Sequence, residues 1–140
     1  MHKQTGFTLL ELMVVVAIIA LTAGAASLSL PPASERQLAQ EAERLSALLE
    51  RARAQSRASG QTMEWRVQDG GFAFALGSTA AQTDQTYSWM HAGVKAQPRR
   101  LLLGPEPVIP AQRVLLTAAD GRSVALSTDG VRPFTLHWEP

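Results

Sequence analysis

From Leu12 to Ser34 the chain runs for 23 residues without a charge, and Leu12–Leu21 is almost wholly apolar. A helix of about 20 apolar residues spans the roughly 30 Å hydrocarbon core of a bilayer. The branched run Val14, Val15, Val16, Ile18 and Ile19 suits lipid or the inside of a helix bundle. Pro31-Pro32 then interrupts the pattern, because proline lacks an amide donor and clashes with the preceding turn. Either one helix bends there or two helices meet. Three interpretations fit such a segment. A secretory signal peptide would use Lys3, the apolar core and Ala23-Gly24-Ala25 as its cleavage site. A plain membrane anchor is the second. The third turns on Glu11, at the edge of the apolar run.

A carboxylate near the top of a membrane helix costs roughly 2.5–3.5 kcal/mol and usually has a functional partner. A signal-peptide core has no use for one. Glu11 stands in the string Gly6-Phe7-Thr8-Leu9-Leu10-Glu11-Leu12-Met13-Val14. This string resembles the cleavage and methylation motif of type IV prepilins and type II secretion pseudopilins. A short polar leader ends in Gly, Phe-Thr-Leu follows, and Glu is the fifth residue after the cut. The resemblance implies cleavage after Gly6 by prepilin peptidase and N-methylation of Phe7. It also implies docking of Glu11 on the N-terminal amine of a neighbouring subunit. Electrostatics agree: cutting leaves an ammonium on Phe7, and Glu11 lies one helical turn further on. A unit pair in low dielectric is strongly attractive, although desolvation offsets much of the gain. Lys3 would stay cytoplasmic, placing the protein in the bacterial inner membrane with its remainder in the periplasm.

Beyond the prolines the pattern becomes that of a soluble domain. Ser34 is placed to cap a helix, with Gln37 three residues later. Leu38, Ala42, Leu45, Leu49 and Ala52 recur at spacings of three and four through Glu35–Ser59, and Gly60 is a natural stop. Glu41–Arg44 and Glu50–Arg53 read as surface i,i+3 pairs. Arg51, Arg53 and Arg57 read as a solvated face that complements the helix dipole. After Gly60 the period changes to two. Thr62–Gln68 and Phe72–Leu76 flank the turn Asp69-Gly70-Gly71, and Arg113–Thr117 and Arg122–Ser127 flank Asp120-Gly121. Thr86–Met90 and Pro133–Trp138 complete the expected strands, with 92–100 irregular. The expected fold class is α+β and pilin-like: a leader over 1–6, a transmembrane or filament-core helix over 7–30, an amphipathic helix over 31–60, and a β-rich periplasmic head over 61–140. The helix would pack by its C-terminal half on an antiparallel sheet.

The resemblance extends past the motif. Leu45-Ser46-Ala47-Leu48-Leu49-Glu50-Arg51-Ala52-Arg53, the following strand and Gly-Phe-x-Phe hairpin, and the ending Gly130-Val131-Arg132-Pro133-Phe134 are similar to the pseudopilin H and FimT-type family. Such a subunit would sit near the tip of a periplasmic pseudopilus in type II secretion. Its partners would be other minor and major pseudopilins, prepilin peptidase, inner-membrane lipid and exoprotein cargo. The competing expectation is a FimT-like minor pilin of a type IV pilus, binding DNA in uptake through Arg99-Arg100, Gly121-Arg122 and Arg132. The tail Leu136-His137-Trp138-Glu139-Pro140 carries no basic cluster, and 13 basic against 12 acidic residues leave no strongly basic footprint. DNA is therefore disfavoured as a partner.

An enzyme is not expected. The absence of cysteine excludes disulfides, thiolate metal sites and cysteine catalysis. His2, His91 and His137 show no metal-ligand spacing, so neither metal nor cofactor is expected. Ser123, Ser127, Asp120, Asp129 and His137 offer a triad only by chance assembly. Trp65, Trp89 and Trp138 suit a core or sheet face, and their exposure is a tertiary property that the sequence leaves open.

Overall fold

The computed structural model describes residues 8–28, 32–77 and 85–139. The expected leader, residues 1–6, and Phe7 lie outside them, as do Pro31 and most of the polar loop after Gly77. The chain forms two compact units, residues 1–32 and residues 33–140.

The first unit contributes helix α1, Leu9–Leu28. Its large apolar side chains are exposed on every side, from Val15 at 48% to Leu9 at 79%. A helix that is hydrophobic all round needs an apolar surrounding to be stable. The described side chains of α1 run from Leu9 to Gly24, about 24 Å of rod at 1.5 Å per residue. Among the described residues no helix is long and apolar enough to cross a membrane.

The second unit is α+β: helix α2, Ala33–Ser59, against eight strands. The strands are β1 (Met63–Gln68), β2 (Gly71–Leu76), β3 (Gln85–Ser88), β4 (Lys95–Gln97), β5 (Arg100–Leu103), β6 (Gln112–Thr117), β7 (Ser123–Thr128) and β8 (Thr135–Trp138). They form two antiparallel four-stranded sheets, β3-β2-β1-β5 and β4-β6-β7-β8. In the first, Trp65 lies opposite Phe74 on one side and Leu101 on the other. In the second, Leu116 pairs with Val124 and Leu126 with Leu136. Helix α2 packs on both sheets. Its stripe Leu38, Ala42, Leu45, Leu49 and Ala52 is buried, as the spacing predicts, and meets Trp65, Phe72, Leu103, Val114, Val124 and Leu126 in one core. Each fully buried leucine stabilises by about 1.5–3 kcal/mol.

Three expectations are corrected. Residues 92–100 are not wholly irregular, since β4 begins at Lys95 and β5 at Arg100. In β5, Leu101 and Leu103 are buried while Leu102 is half exposed. Three successive leucines conceal that alternation from a period-two reading. Ser34 does not cap α2, which starts at Ala33; its hydroxyl instead bonds the Asp120 carboxylate in the β6–β7 turn.

The third correction concerns the charges of α2. Arg53 and Glu41 are only 2% and 1% exposed. Arg53 reaches the carbonyls of Gly130 (3.0 Å) and Arg132 (3.2 Å) and pairs with Glu50 at 3.0 Å. Glu50 also accepts the Phe134 amide (3.1 Å), and Ser46 donates to the Phe134 carbonyl (2.9 Å). Glu41 accepts the His91 amide (2.9 Å), while Arg44 holds the Ser88 carbonyl (2.9 Å). These side chains satisfy backbone groups of two loops and of the outer edge of β3, which is why charge is tolerated in the interior.

Candidate subunit-assembly site

Helix α1 begins with its own cap. The Glu11 amide donates to Thr8 Oγ1 at 3.2 Å and to the Thr8 carbonyl at 3.1 Å, and the Leu12 amide bonds the same carbonyl at 3.3 Å. Thr8-Leu9-Leu10-Glu11 is thus an N-terminal capping sequence, with the acid in the first turn where the helix dipole favours negative charge. The spacing Thr-x-x-Glu carries that signal in the sequence, and the expectations above passed it over. Glu11 is exposed and is the one charged residue of α1. Gly6 and Phe7 lie outside the described residues, so the amine expected to meet Glu11 has no described position. Lower in α1 the Thr22 hydroxyl donates to the carbonyls of Ile18 (2.9 Å) and Ile19 (3.0 Å). Its polarity is absorbed within the helix.

Three of the four arginines proposed for DNA contact are paired with acidic side chains. Arg100 pairs with Glu64 at 2.7 Å. Arg122 meets Glu35 at 3.1 Å and Asp120 at 3.6 Å, and Arg132 binds Asp129 at 2.8 Å. The chance triad is likewise not assembled. Ser127, Asp129 and His137 line one surface groove, but Asp129 is spent on its own turn, accepting the Val131 and Arg132 amides at 3.0 and 2.8 Å. The Arg132 amide, then the Arg132 side chain, hold the Asp129 carboxyl well below the usual range. The Ser34 hydroxyl and the Arg122 amide lower Asp120 in the same direction. His137 Nε2 lies 3.0 Å from Thr135 Oγ1, and Ser123 is bonded to Thr117. Among the described residues no three His, Asp or Glu side chains cluster as a metal site would require. Trp65 is fully buried, Trp89 packs on the core edge, and Trp138 is 45% exposed.

Residues 1–27 match the prokaryotic N-terminal methylation motif. Over 74 residues the chain is 38% identical to type II secretion system protein H of Aeromonas hydrophila, a match covering 52% of this chain and 40% of that protein. The likeness to prepilin-type proteins thus lies in the N-terminal motif and in about half of the chain. Among solved structures, the chain is similar to the type IV minor pilin FimU of Pseudomonas aeruginosa. The TM-score is 0.52 at 20% identity, over 78% of this chain and 93% of that one. At that identity the likeness is one of fold, and it is a pilin-like fold. The chain therefore joins a methylation-type N-terminal motif to a pilin-like α+β head.

Proposed function

We propose that this protein is a minor subunit of a periplasmic, pilus-like filament serving type II secretion. It is anchored in the bacterial inner membrane by α1 until it is drawn into the filament. The observation that carries the proposal is α1 itself: an apolar rod exposed on all sides, with its single acid in a capped first turn. Such a rod needs apolar surroundings, and such an acid needs a cation supplied from outside the helix. Cleavage after Gly6 creates that cation on Phe7 of every subunit, and N-methylation of Phe7 leaves it charged. Glu11 of one subunit docks on the Phe7 ammonium of its neighbour and sets the axial register, while the valines and isoleucines supply packing. The role is structural, without catalysis or cofactor. Its partners are other major and minor pseudopilins, prepilin peptidase and membrane lipid. Similarity to a type II secretion protein H supports that system over a type IV pilus.

The decisive experiment is Glu11→Ala in a secretion-competent host. Incorporation into filaments and export should be lost while processing continues. Unchanged incorporation and export would overturn the proposal. Mass spectrometry of the mature N-terminus should find N-methylphenylalanine at Phe7, whereas a chain starting near Ser27 would mean an ordinary signal peptide. Co-purification with pseudopilins, rather than with pilus subunits, separates the two systems. DNA affinity at two salt concentrations separates the uptake alternative, since phosphate contacts give a steep salt slope.

A further inference from the structure

The chain has no asparagine and four aspartates, three of which precede glycine: Asp69-Gly70, Asp120-Gly121 and Asp129-Gly130. Such a dipeptide carries both partners of a reaction. The amide nitrogen after the aspartate can attack the side-chain carboxyl, and a glycine, lacking Cβ, leaves the approach open. The attack is slowed when the amide already donates elsewhere or when other donors hold the carboxyl. Structure, and not sequence, therefore separates the three pairs.

At Asp129-Gly130 both partners are tied. The Gly130 amide donates to Thr128 Oγ1 at 3.0 Å. The carboxylate accepts the Val131 and Arg132 amides at 3.0 and 2.8 Å and Arg132 Nε at 2.8 Å. Those donors keep the carboxyl ionised, and an ionised carboxyl gives up an oxygen far less readily than a neutral one. A Cβ on Gly130 would collide with the Ile109 carbonyl, so the backbone has no room to pucker into a ring. Asp120-Gly121 is tied in the same way. The Gly121 amide donates to the Ala118 carbonyl at 3.0 Å. The Asp120 carboxylate takes the Arg122 amide at 3.2 Å, the Arg122 guanidinium at 3.6 Å and the Ser34 hydroxyl.

Asp69-Gly70 has none of these restraints. It is the two-residue turn between β1 and β2, where Gln68 lies opposite Gly71. Among the described residues nothing bonds the Asp69 carboxylate or the Gly70 amide. Gly70 is held through its carbonyl, which accepts the Trp89 amide at 3.0 Å. Asp69 is exposed, and a Cβ on Gly70 would meet nothing within 4 Å. The turn is free to close.

We propose that Asp69-Gly70 is a self-modification site, at which aspartate converts to isoaspartate well ahead of Asp120 and Asp129. The Gly70 nitrogen bonds to Asp69 Cγ and gives up its proton, and one carboxyl oxygen leaves as water. The cyclic imide then takes up one water at either of its carbonyls. Opening at Cγ restores aspartate. Opening at the main-chain carbonyl leaves the backbone running through Cβ and Cγ, with a free α-carboxylate. One water leaves and one enters, so no oxidant or other reactant is needed. The product carries an extra backbone atom in a two-residue turn, where loop length fixes the register of the hairpin. Gln68 and Gly71 then no longer match, beside the buried Phe72.

The test ages the full chain in detergent micelles, in warm neutral buffer made with heavy-oxygen water. Each passage through the imide leaves one heavy oxygen at the aspartate, which peptide mass mapping locates. Breaking even one hydrogen bond to a charged group slows the step about tenfold or more. Label at Asp69 should exceed that at Asp120 and Asp129 by such a factor, and in denaturant the three should label alike. A protease that cuts before aspartate but spares isoaspartate should progressively lose its cut at Asp69. The thermal midpoint of the aged chain should fall, whereas Asp69→Ser should keep its midpoint through the same treatment. Equal labelling of the three sites in the folded chain, or slower labelling at Asp69, would overturn the proposal. Label at Asp69 with the protease cut fully retained would reduce the event to oxygen exchange and refute isoaspartate formation. None of these readouts depends on filament assembly, so the proposal stands or falls apart from the assigned function.

Discussion

Helices α1 and α2 follow each other in the chain yet hide their apolar residues in opposite ways. Val15, the least exposed large hydrophobic of α1, is 48% exposed, whereas Leu45 and Leu49 of α2 are at 0%. α2 finds everything it needs inside the head: two sheets to cover its leucines and loop backbone to occupy Glu41, Arg53, Glu50 and Ser46. α1 finds nothing of the kind within its own helix. Tertiary packing therefore fixes α2 as part of a self-sufficient domain, while the apolar surface of α1 has no cover within its own helix. Under the proposed function, lipid or other subunits supply that cover.

That contrast can be broken by substitution. The largest effect is expected for Arg53→Ala, which strands the Gly130 and Arg132 carbonyls and leaves the partly exposed Glu50 without its cation. Stranding buried carbonyls costs about 1–3 kcal/mol each, read as a lowered denaturation midpoint of the full chain. The N-terminal processing expected of the proposed function should be untouched, because the bonds of Arg53 run to Glu50, Gly130 and Arg132. Thr8→Ala is the converse case. Loss of the cap should cost about 1 kcal/mol of helix at the start of α1, seen as faster amide exchange at Glu11 and Leu12, with the head's midpoint unmoved. A shift of that midpoint would show the two regions to be energetically coupled.

The smallest effect sharpens the head alone. Asp129 has a depressed folded pKa, so the stabilisation it provides is complete above its unfolded value of 3.8 and drains as pH falls through that range toward the folded value. The head's melting temperature should be insensitive to Asp129 between pH 7 and pH 5 and should decline below about pH 4. Asp129→Asn should flatten that acid limb. An equal decline in the variant would assign the acid sensitivity to other carboxylates.

Much of this architecture is legible in the residues, because it rests on local periodicity. The unbroken apolar run gives α1, the three-and-four spacing gives the buried face of α2, and Asp-Gly turns between alternating segments give the hairpins β1–β2 and β6–β7. What escapes is decided by distant neighbours. Arg53 sits among other arginines at the end of a helix and looks solvated; only the return of the 129–134 loop onto α2 buries it. Leu101-Leu102-Leu103 has the composition of a strand but no visible alternation, so β5 is recognised only once β1 lies beside it. The division into two sheets instead of one is equally non-local. At the candidate site, Gly6, Phe7 and Glu11 are expected from a motif resemblance, and of the three only Glu11 lies among the described residues. The Thr8 cap was available from the Thr-x-x-Glu spacing.

Thr22 carries a last consequence. A hydroxyl in the middle of a greasy rod would ordinarily favour one solvent over another, and so resist transfer between them. Here its proton is shared by two carbonyls one turn back, and the outside of α1 is indifferent to whether acyl chains or neighbouring helices enclose it. Under the proposed function, such a helix passes from bilayer to filament without remaking a hydrogen bond at Thr22.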